Sequence, residues 1–292
     1  MAYTQVFLEL DAEDTQAAED LLMESGALAV TLRDPGGEPV LEPAPGDVPL
    51  WPSLTLCALF PDGMDLVALR RQAALALGET TIASWRQETL QDRVWERVWM
   101  DDFTPMRFGR RLWICPSTHQ VDATDAVVVK LDPGLAFGTG THPTTALCLR
   151  WLDAQDLRGQ SVIDLGCGSG VLGVAALLLG AGRCVGIDND PQALIASRDN
   201  AIRNDVSARL RLLDAGDPDP EPADVLVANI LSSILIRLQP QAARLLRPGG
   251  RLALSGILDT QVDAVTEAYA GSFALDPPQQ DGDWMLLSGR KR

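Results

Sequence analysis

The sequence predicts an α/β protein in which a doubly wound, mostly parallel sheet follows a smaller α+β domain. Three segments indicate the sheet, because each of them follows a short apolar run of strand length. They are the glycine turn that begins at Gly166, the segment that contains Asp188 and the segment that contains Asn229. The carboxyl ends of parallel strands meet at one edge, where such sheets bind ligands. The three segments are therefore predicted to surround one crevice.

Residues 1–90 are predicted to form the smaller domain. Strand patterns occupy residues 4–10, 28–32, 54–60 and 81–89, and helical patterns occupy residues 14–25 and 64–77. Proline and glycine are frequent in residues 34–52, which predicts irregular structure there. The resulting order, β-α-β-β-α-β, is that of a ferredoxin-like domain.

Residues 91–117 are predicted to be a helical linker and connector. Within residues 91–100 the apolar positions follow an i, i+1, i+4, i+5 pattern, which is typical of a helix with one buried face. These positions are Val94, Trp95, Val98 and Trp99. A strand-like segment at residues 112–115 then leads into the larger domain, residues 118–292.

The larger domain alternates strands with helices, as a doubly wound sheet requires. Strands are predicted at residues 127–131, 161–164, 184–188, 210–213, 225–228 and 251–255, and helices at residues 144–152, 171–180, 191–204 and 260–270. Only a short segment separates the last two apolar runs, 272–276 and 284–289, so it cannot hold a crossover helix. They must pair as an antiparallel hairpin, which makes one strand of the sheet antiparallel.

The glycine turn has a physical rationale as a ligand site. A ligand lying on a strand-to-helix turn touches the backbone, so side chains must be absent there. A carboxylate such as Asp188, at the end of the next strand, can accept hydrogen bonds from both hydroxyls of a ribose. Dinucleotide sites share this logic but use the spacing G-x-G-x-x-G. The spacing here is G-x-G-x-G, preceded by Asp164, and resembles the S-adenosylmethionine site of class I methyltransferases.

A more specific resemblance lies in residues 131–145, LDPGLAFGTGTHPTT. This segment is similar to the signature loop of the PrmA-type methyltransferases, which modify the eleventh protein of the large ribosomal subunit. The segments DLGCGSGVL, GIDNDPQA and VANIL agree as well, so that the resemblance covers essentially the whole chain. It implies a Rossmann-like class I methyltransferase sheet with a ferredoxin-like N-terminal domain that recognises the substrate. It also implies transfer of methyl groups from S-adenosyl-L-methionine to lysine side chains and the N-terminal amine of a large-subunit ribosomal protein, free or on the ribosome.

The resemblance also assigns candidate site residues. Cofactor contacts are implied for Thr145, Gly166, Asp188 and Asn229, with Thr144, Gly168, Phe137 and Gly138 as further candidates. Asn229 is the candidate catalytic residue, because an amide oxygen accepts a hydrogen bond from an amine without placing charge beside the sulfonium. His142 is either a base or a residue that holds the loop in shape. Asp214 either contacts the adenine or solvates a loop.

Composition limits the partners and the compartment. The net charge of −16 opposes a phosphate backbone, so direct sequence-specific nucleic-acid binding is not expected. The two histidines do not lie at zinc-ligand spacing, so no metal site is predicted. Five scattered cysteines without a C-x-x-C pair indicate a reduced, cytoplasmic compartment. The first ten residues do not resemble a signal peptide, and no apolar run is long enough for a membrane span.

Three alternatives remain at this level. The substrate could be another basic protein, or RNA within a ribosomal particle. The chain could instead be a nicotinamide-dependent oxidoreductase, which preferential binding of NAD over S-adenosylmethionine would reveal. It could also bind the cofactor without catalysis, and a methyl-transfer assay on ribosomal proteins separates that possibility from an enzyme.

Overall fold

The structure is a computed structural model that describes residues 2–11, 14–34, 53–91, 104–132 and 142–292. The chain divides into two compact units, Met1–Val98 and Trp99–Arg292. The described helices include none that is long and apolar enough to span a bilayer. All five cysteines are buried and free.

The first unit is a four-stranded antiparallel sheet with helices after its first and third strands. Its elements are β1 (Ala2–Asp11), α1 (Thr15–Glu24), β2 (Ala29–Arg33), β3 (Ser53–Pro61), α2 (Leu66–Leu77), α3 (Glu79–Ile82) and β4 (Arg86–Gln91). The strand order is β2-β3-β1-β4. Alternate residues of β1 and β3, such as Val6, Leu8 and Leu56, pack against Ala18 and Leu22 of α1. This alternation is what places one face of a strand in a core.

One strand of this unit starts later than predicted. The β-branched residues Thr80, Thr81 and Ile82 favour a strand, but they lie in or beside the short helix α3. Gly78 ends α2 with a φ of 89°, where the chain changes direction. Only the single helical turn of α3 then precedes β4. Burial of Ile82 in the core outweighs the local strand preference.

The second unit begins with a small sheet of its own. Strands β5 (Met106–Phe108), β6 (Leu112–Cys115) and β7 (Val127–Lys130) pair in the order β5-β6-β7. Residues 106–115 were predicted to belong to the connector. In the structure β5 pairs with β6 and β6 pairs with β7, so these residues lie in the second unit. The predicted helix over residues 91–100 lies, apart from Gln91, outside the described residues.

The large sheet has eight strands and confirms the predicted class. Its strands are β8 (Ser161–Leu165), β9 (Arg183–Asp188), β10 (Leu210–Asp214), β11 (Ala223–Asn229), β12 (Leu246–Leu258), β13 (Phe273–Leu275), β14 (Gln279–Asp281) and β15 (Trp284–Lys291). The order is β10-β9-β8-β11-β12-β15-β13, with β14 paired to β15. The pairs among β8 to β12 are parallel, whereas β15 runs antiparallel to β12 and β13. The predicted terminal hairpin is therefore confirmed.

Helices cover both faces of this sheet. They are α4 (Pro143–Asp153), α5 (Val171–Leu178), α6 (Pro191–Arg203), α7 (Ser232–Leu245) and α8 (Val262–Ala270). Helices α4 and α5 contribute to the core on one face, and α7 and α8 contribute to the core on the other. Helix α7 was not predicted from the sequence. Its interior Pro240 argues against a continuous helix, yet Leu235, Ala242 and Leu245 bury one face across that proline.

Candidate cofactor site

The glycine turn after β8 has a backbone that only glycine adopts readily. Gly166 and Gly170 both have a φ of 75°. A Cβ atom at Gly166 would overlap the Ile230 side chain, and one at Gly170 would lie 2.7 Å from Ser197 Oγ. The turn therefore approaches its neighbours too closely for any other residue, and its backbone faces the space above the strand ends.

Hydrogen bonds hold this turn from several sides. The Ile187 carbonyl accepts the Gly166 N–H at 2.8 Å, and Ser197 Oγ donates to the Gly168 carbonyl at 2.9 Å. Asn200 Nδ2 donates to the Ser169 carbonyl at 2.9 Å. Helix α6 thus braces the turn with two side chains, and the turn is preorganised for a ligand.

Asp188 links the end of β9 to the same turn. Its Oδ2 accepts the Gly168 N–H at 2.8 Å, and its Oδ1 accepts the Asp190 N–H at 3.0 Å. A carboxylate has about four lone-pair sites, so each oxygen keeps capacity for one more donor. The side chain can therefore position the turn and still accept hydrogen bonds from a ligand.

Asp164, at the end of β8, is fully buried beneath the turn. Its Oδ2 accepts the Gly173 N–H at 2.9 Å, whereas Oδ1 has no hydrogen-bond partner among the residues described. Burial raises the pKa of this carboxyl group to about 7; the Gly173 N–H opposes the shift and the negative charge of Asp188 adds to it. The Asp164 carboxyl group is therefore partly protonated near neutral pH.

Asn229 ends β11 and is oriented by α4. Its Nδ2 donates to Thr145 Oγ1 at 3.1 Å, although the two residues are 84 positions apart. This bond leaves the amide oxygen as the acceptor that faces other partners. Thr145 is completely buried and lies in the first turn of α4, behind Asn229.

His142 precedes the same helix turn as its N-cap residue. Its Nδ1 lies 2.8 Å from Thr144 Oγ1 and accepts the Thr144 N–H at 3.4 Å. Desolvation by burial lowers the pKa of His142. Thr144 is almost completely buried, and its hydroxyl contacts the imidazole of the N-cap residue.

Four of the predicted site residues meet around one cavity of about 370 Å³ at the carboxyl ends of the strands. They are Gly166, Gly168, Asp188 and Asn229. Thr144 and Thr145 lie behind the cavity and do not line it, while Phe137 and Gly138 lie outside the described residues. Asp214 accepts the N–H of Gly216 at 2.8 Å and also does not line the cavity.

Helix α7 supplies lining residues that the sequence analysis missed. Ile234, Arg237, Leu238 and Gln241 form one side of the cavity. The spacing i, i+3, i+4, i+7 places these residues on one helix face, and this periodicity was a signal available in the sequence. Ile234 and Leu238 give this side of the cavity apolar surface, and Arg237 and Gln241 add polar groups, a mixture that small-molecule pockets usually have.

Comparison with known proteins identifies the family. Residues 2–292 match the family described as "Ribosomal protein L11 methyltransferase (PrmA)". The chain belongs to this family. Ribosomal protein L11 methyltransferases of Pseudomonas paraeruginosa and Azotobacter vinelandii are 53% and 52% identical to it, over all of this chain and 99% and 100% of theirs. The crystal structure of a ribosomal protein L11 methylase from Lactobacillus delbrueckii subsp. bulgaricus is 33% identical, covers 65% of this chain and all of its own, and superposes with a TM-score of 0.60.

The family is one of class I methyltransferases whose cofactor is S-adenosylmethionine. The residues present fit that cofactor. The cavity volume lies within the range of about 300–1,000 Å³ that is usual for small-molecule sites. The Gly166 and Gly168 backbone in the lining and the remaining acceptor capacity of Asp188 suit a nucleoside lying against the turn. No cluster of metal-ligating side chains is present in the part of the chain that the structure describes.

Proposed function

We propose that this protein transfers methyl groups from S-adenosylmethionine to lysine side chains and the N-terminal amine of ribosomal protein L11. The observation that carries the proposal is the convergence of Gly166, Gly168, Asp188 and Asn229 on one cavity at the strand ends. Membership of the PrmA family supports the choice of substrate. A ribosomal protein substrate also favours a cytoplasmic location.

In this proposal each cavity residue has a distinct task. The Gly166 and Gly168 backbone supports the cofactor, and Asp188 accepts hydrogen bonds from the ribose hydroxyls. Asn229 accepts a hydrogen bond from the incoming amine through its amide oxygen, the acceptor of this side chain, while the bond from Nδ2 to Thr145 Oγ1 orients the amide. The cofactor, when bound, supplies a methyl group that its sulfonium has activated.

The substrate amine must be neutral to attack. With a reference pKa of about 10.4, a lysine is neutral in roughly one molecule in a thousand near pH 7.5, which costs about 4 kcal/mol. An uncharged acceptor such as Asn229 does not add to this cost, whereas a carboxylate in its place would stabilise the ammonium form. The described cavity lining contains no histidine or lysine. Loss of the proton to water therefore suits the site.

We also propose that the first unit recognises the protein substrate. It carries 17 acidic and 6 basic residues in positions 1–98, so its net charge is −11. An acidic surface of this kind attracts a basic partner and repels nucleic acid. A truncated protein that begins at residue 99 should bind S-adenosylmethionine but lose methylation of L11.

The direct test is methyl transfer from labelled S-adenosylmethionine to isolated L11 and to large ribosomal subunits, followed by mass spectrometry of the product. The expected result is label on amines of L11, and the comparison decides between the free and the assembled substrate. Label on RNA, or on no component, would contradict the proposal. Asn229→Ala should lower transfer by roughly 5- to 150-fold through the loss of one positioned hydrogen bond of about 1–3 kcal/mol.

A further inference from the structure

The N-terminus of α4 has an unusual N-cap. Serine, threonine, aspartate and asparagine are the residues that usually cap helices, but His142 occupies this position here. Its backbone is extended, with φ of −74° and ψ of 136°, and its Nδ1 accepts the Thr144 N–H. An imidazole nitrogen accepts a hydrogen bond only when it carries no proton. The cap therefore requires neutral His142 in the tautomer that carries its proton on Nε2.

The capped turn is the one that orients Asn229. Pro143, Thr144 and Thr145 form the first three positions of α4, and Thr145 Oγ1 accepts the Asn229 Nδ2 hydrogen bond. Pro143 has no N–H of its own and suits the first position. The side chain of His142 therefore stabilises the turn that contains Thr145, and Thr145 holds the Asn229 amide at the cavity.

A tryptophan holds the imidazole from the far end of the chain. The ring of Trp284, the first residue of β15, lies edge-on to His142 with 4.9 Å between the ring centroids and 67° between the planes. Its packing helps to exclude water, and desolvation is what lowers the pKa of His142. A second link joins α4 to the neighbouring strand of the hairpin, because Arg150 of α4 forms an ion pair with Asp281 of β14 at 2.7 Å.

Charged groups on the elements packed against His142 include Arg150 and Asp153 on α4 and Asp281 and Asp283 in the hairpin. Arg150 and Asp281 neutralise each other, and Asp153 accepts hydrogen bonds from the backbone of the β5–β6 turn. Desolvation by burial lowers the pKa of His142, which favours the neutral imidazole near pH 7.

We propose that neutral His142 is a positioning residue of the methyl-transfer site, because its cap sets the helix turn through which Thr145 orients Asn229. Protonation of Nδ1 removes the acceptor of the Thr144 N–H and makes Nδ1 a donor, for which Thr144 Oγ1 lies 2.8 Å away. It also places a cation at the positive end of the helix dipole. Both effects release the turn. The proposal rests on the role proposed above for Asn229, and it assigns Nδ1 to the cap, so this nitrogen does not act as a base.

The test compares two substitutions of His142. Asparagine caps a helix well and does not titrate, whereas alanine cannot cap. Turnover of the full-length protein on L11, at saturating S-adenosylmethionine and L11, is measured from pH 5.5 to 8.5 and divided by the wild-type value at each pH. This ratio cancels the ionisation of the substrate amine. His142→Asn should match the wild type above pH 7 and exceed it increasingly at lower pH. His142→Ala should be roughly two- to tenfold slower at every pH where the wild-type cap is intact.

Three outcomes would overturn the proposal. The first is a His142→Asn ratio that stays flat at low pH, since the titration would then not involve the cap. The second is wild-type turnover in His142→Ala. The third is equal inactivity of both folded variants, which would indicate a chemical role for the imidazole. A Thr145→Val background adds a check on the relay, because there His142→Ala should cost no further turnover.

A measurement without substrate separates this proposal from the proposed function. Since the pKa of His142 is lowered in the folded protein, the unfolded chain binds more protons as the pH falls below about 6.5, and stability is lost there. The unfolding free energy of the wild type should therefore fall below that of His142→Asn on acidification. This difference is expected even if L11 is not methylated. If the difference in unfolding free energy between wild type and His142→Asn does not change with pH, the cap is rejected. If the wild type does not methylate L11, only the proposed function and the effect of His142 on turnover are rejected.

Discussion

Substitution of Asp188 by alanine should weaken both the glycine turn and the cofactor. In the protein itself the carboxylate accepts two backbone N–H groups, from Gly168 at 2.8 Å and Asp190 at 3.0 Å. Hydrogen bonds to a charged group contribute about 1.5–3 kcal/mol each when well shielded. Asp188 is half-buried, so the loss of both should lower the unfolding free energy by about 2–4 kcal/mol.

The effect on binding follows from the acceptor capacity that remains. Two hydrogen bonds from ribose hydroxyls to this carboxylate correspond to about 2–4 kcal/mol, or roughly 30- to 1000-fold in the dissociation constant. Isothermal titration calorimetry with S-adenosylmethionine measures this loss, and urea denaturation without ligand measures the stability. The titration is performed well below the denaturation midpoint, so that only folded protein contributes.

Asp214 provides a matched control for this experiment. It lies directly opposite Asp188 in the β9–β10 pairing and also ends its strand. Its carboxylate accepts the Gly216 N–H, but it does not line the cavity. Asp214→Ala should therefore lower stability by about 1 kcal/mol and leave cofactor affinity within a factor of about two. Unchanged affinity in folded Asp188→Ala, or an equal loss in Asp214→Ala, would refute the assignment of the ribose site.

Two further changes test the interior of the site. Thr145→Val preserves shape but removes the acceptor of Asn229 Nδ2, so turnover should fall about tenfold while S-adenosylmethionine affinity changes less than about threefold; wild-type turnover would show that this bond does not orient Asn229. Asp164→Asn removes a carboxyl group whose pKa is raised to about 7. The folded wild type therefore keeps this proton up to about pH 7, and its unfolding free energy falls as the pH rises from about 4 to 7. The variant's unfolding free energy relative to wild type should thus increase by up to about 4 kcal/mol between pH 4 and 8, and a difference independent of pH would contradict the buried titration.

The elements that carried the correct prediction have strong local signals. The glycine turn, the aspartate at the end of β9 and the asparagine at the end of β11 each follow a short apolar strand. A parallel sheet brings such ends to one edge whatever the loops between them do. The hairpin of β13 and β15 followed from length alone, since a short segment cannot cross over a sheet.

The sequence is least informative where local preference and packing disagree. Residues 106–115 were predicted to lead from a connector into the larger domain, and the pairing of residues 112–115 with β7 places them in a small sheet of the second unit. Asp153 of α4 also holds their turn by accepting the Arg111 N–H at 3.3 Å. In α7, burial of one helix face outweighs the penalty of an interior proline. Such gains depend on neighbours that are remote in the sequence.

The sequence by itself determined the fold class, the position of the crevice and the residues at its strand ends, because periodicity and turn chemistry are local properties of the chain. Tertiary structure alone decided that Thr145 lies behind Asn229, that His142 caps α4 and that Trp284 packs on His142. The last two residues are 142 positions apart. Which side chains meet over such separations depends on where helices and hairpins pack on the sheet, and no local pattern encodes that placement.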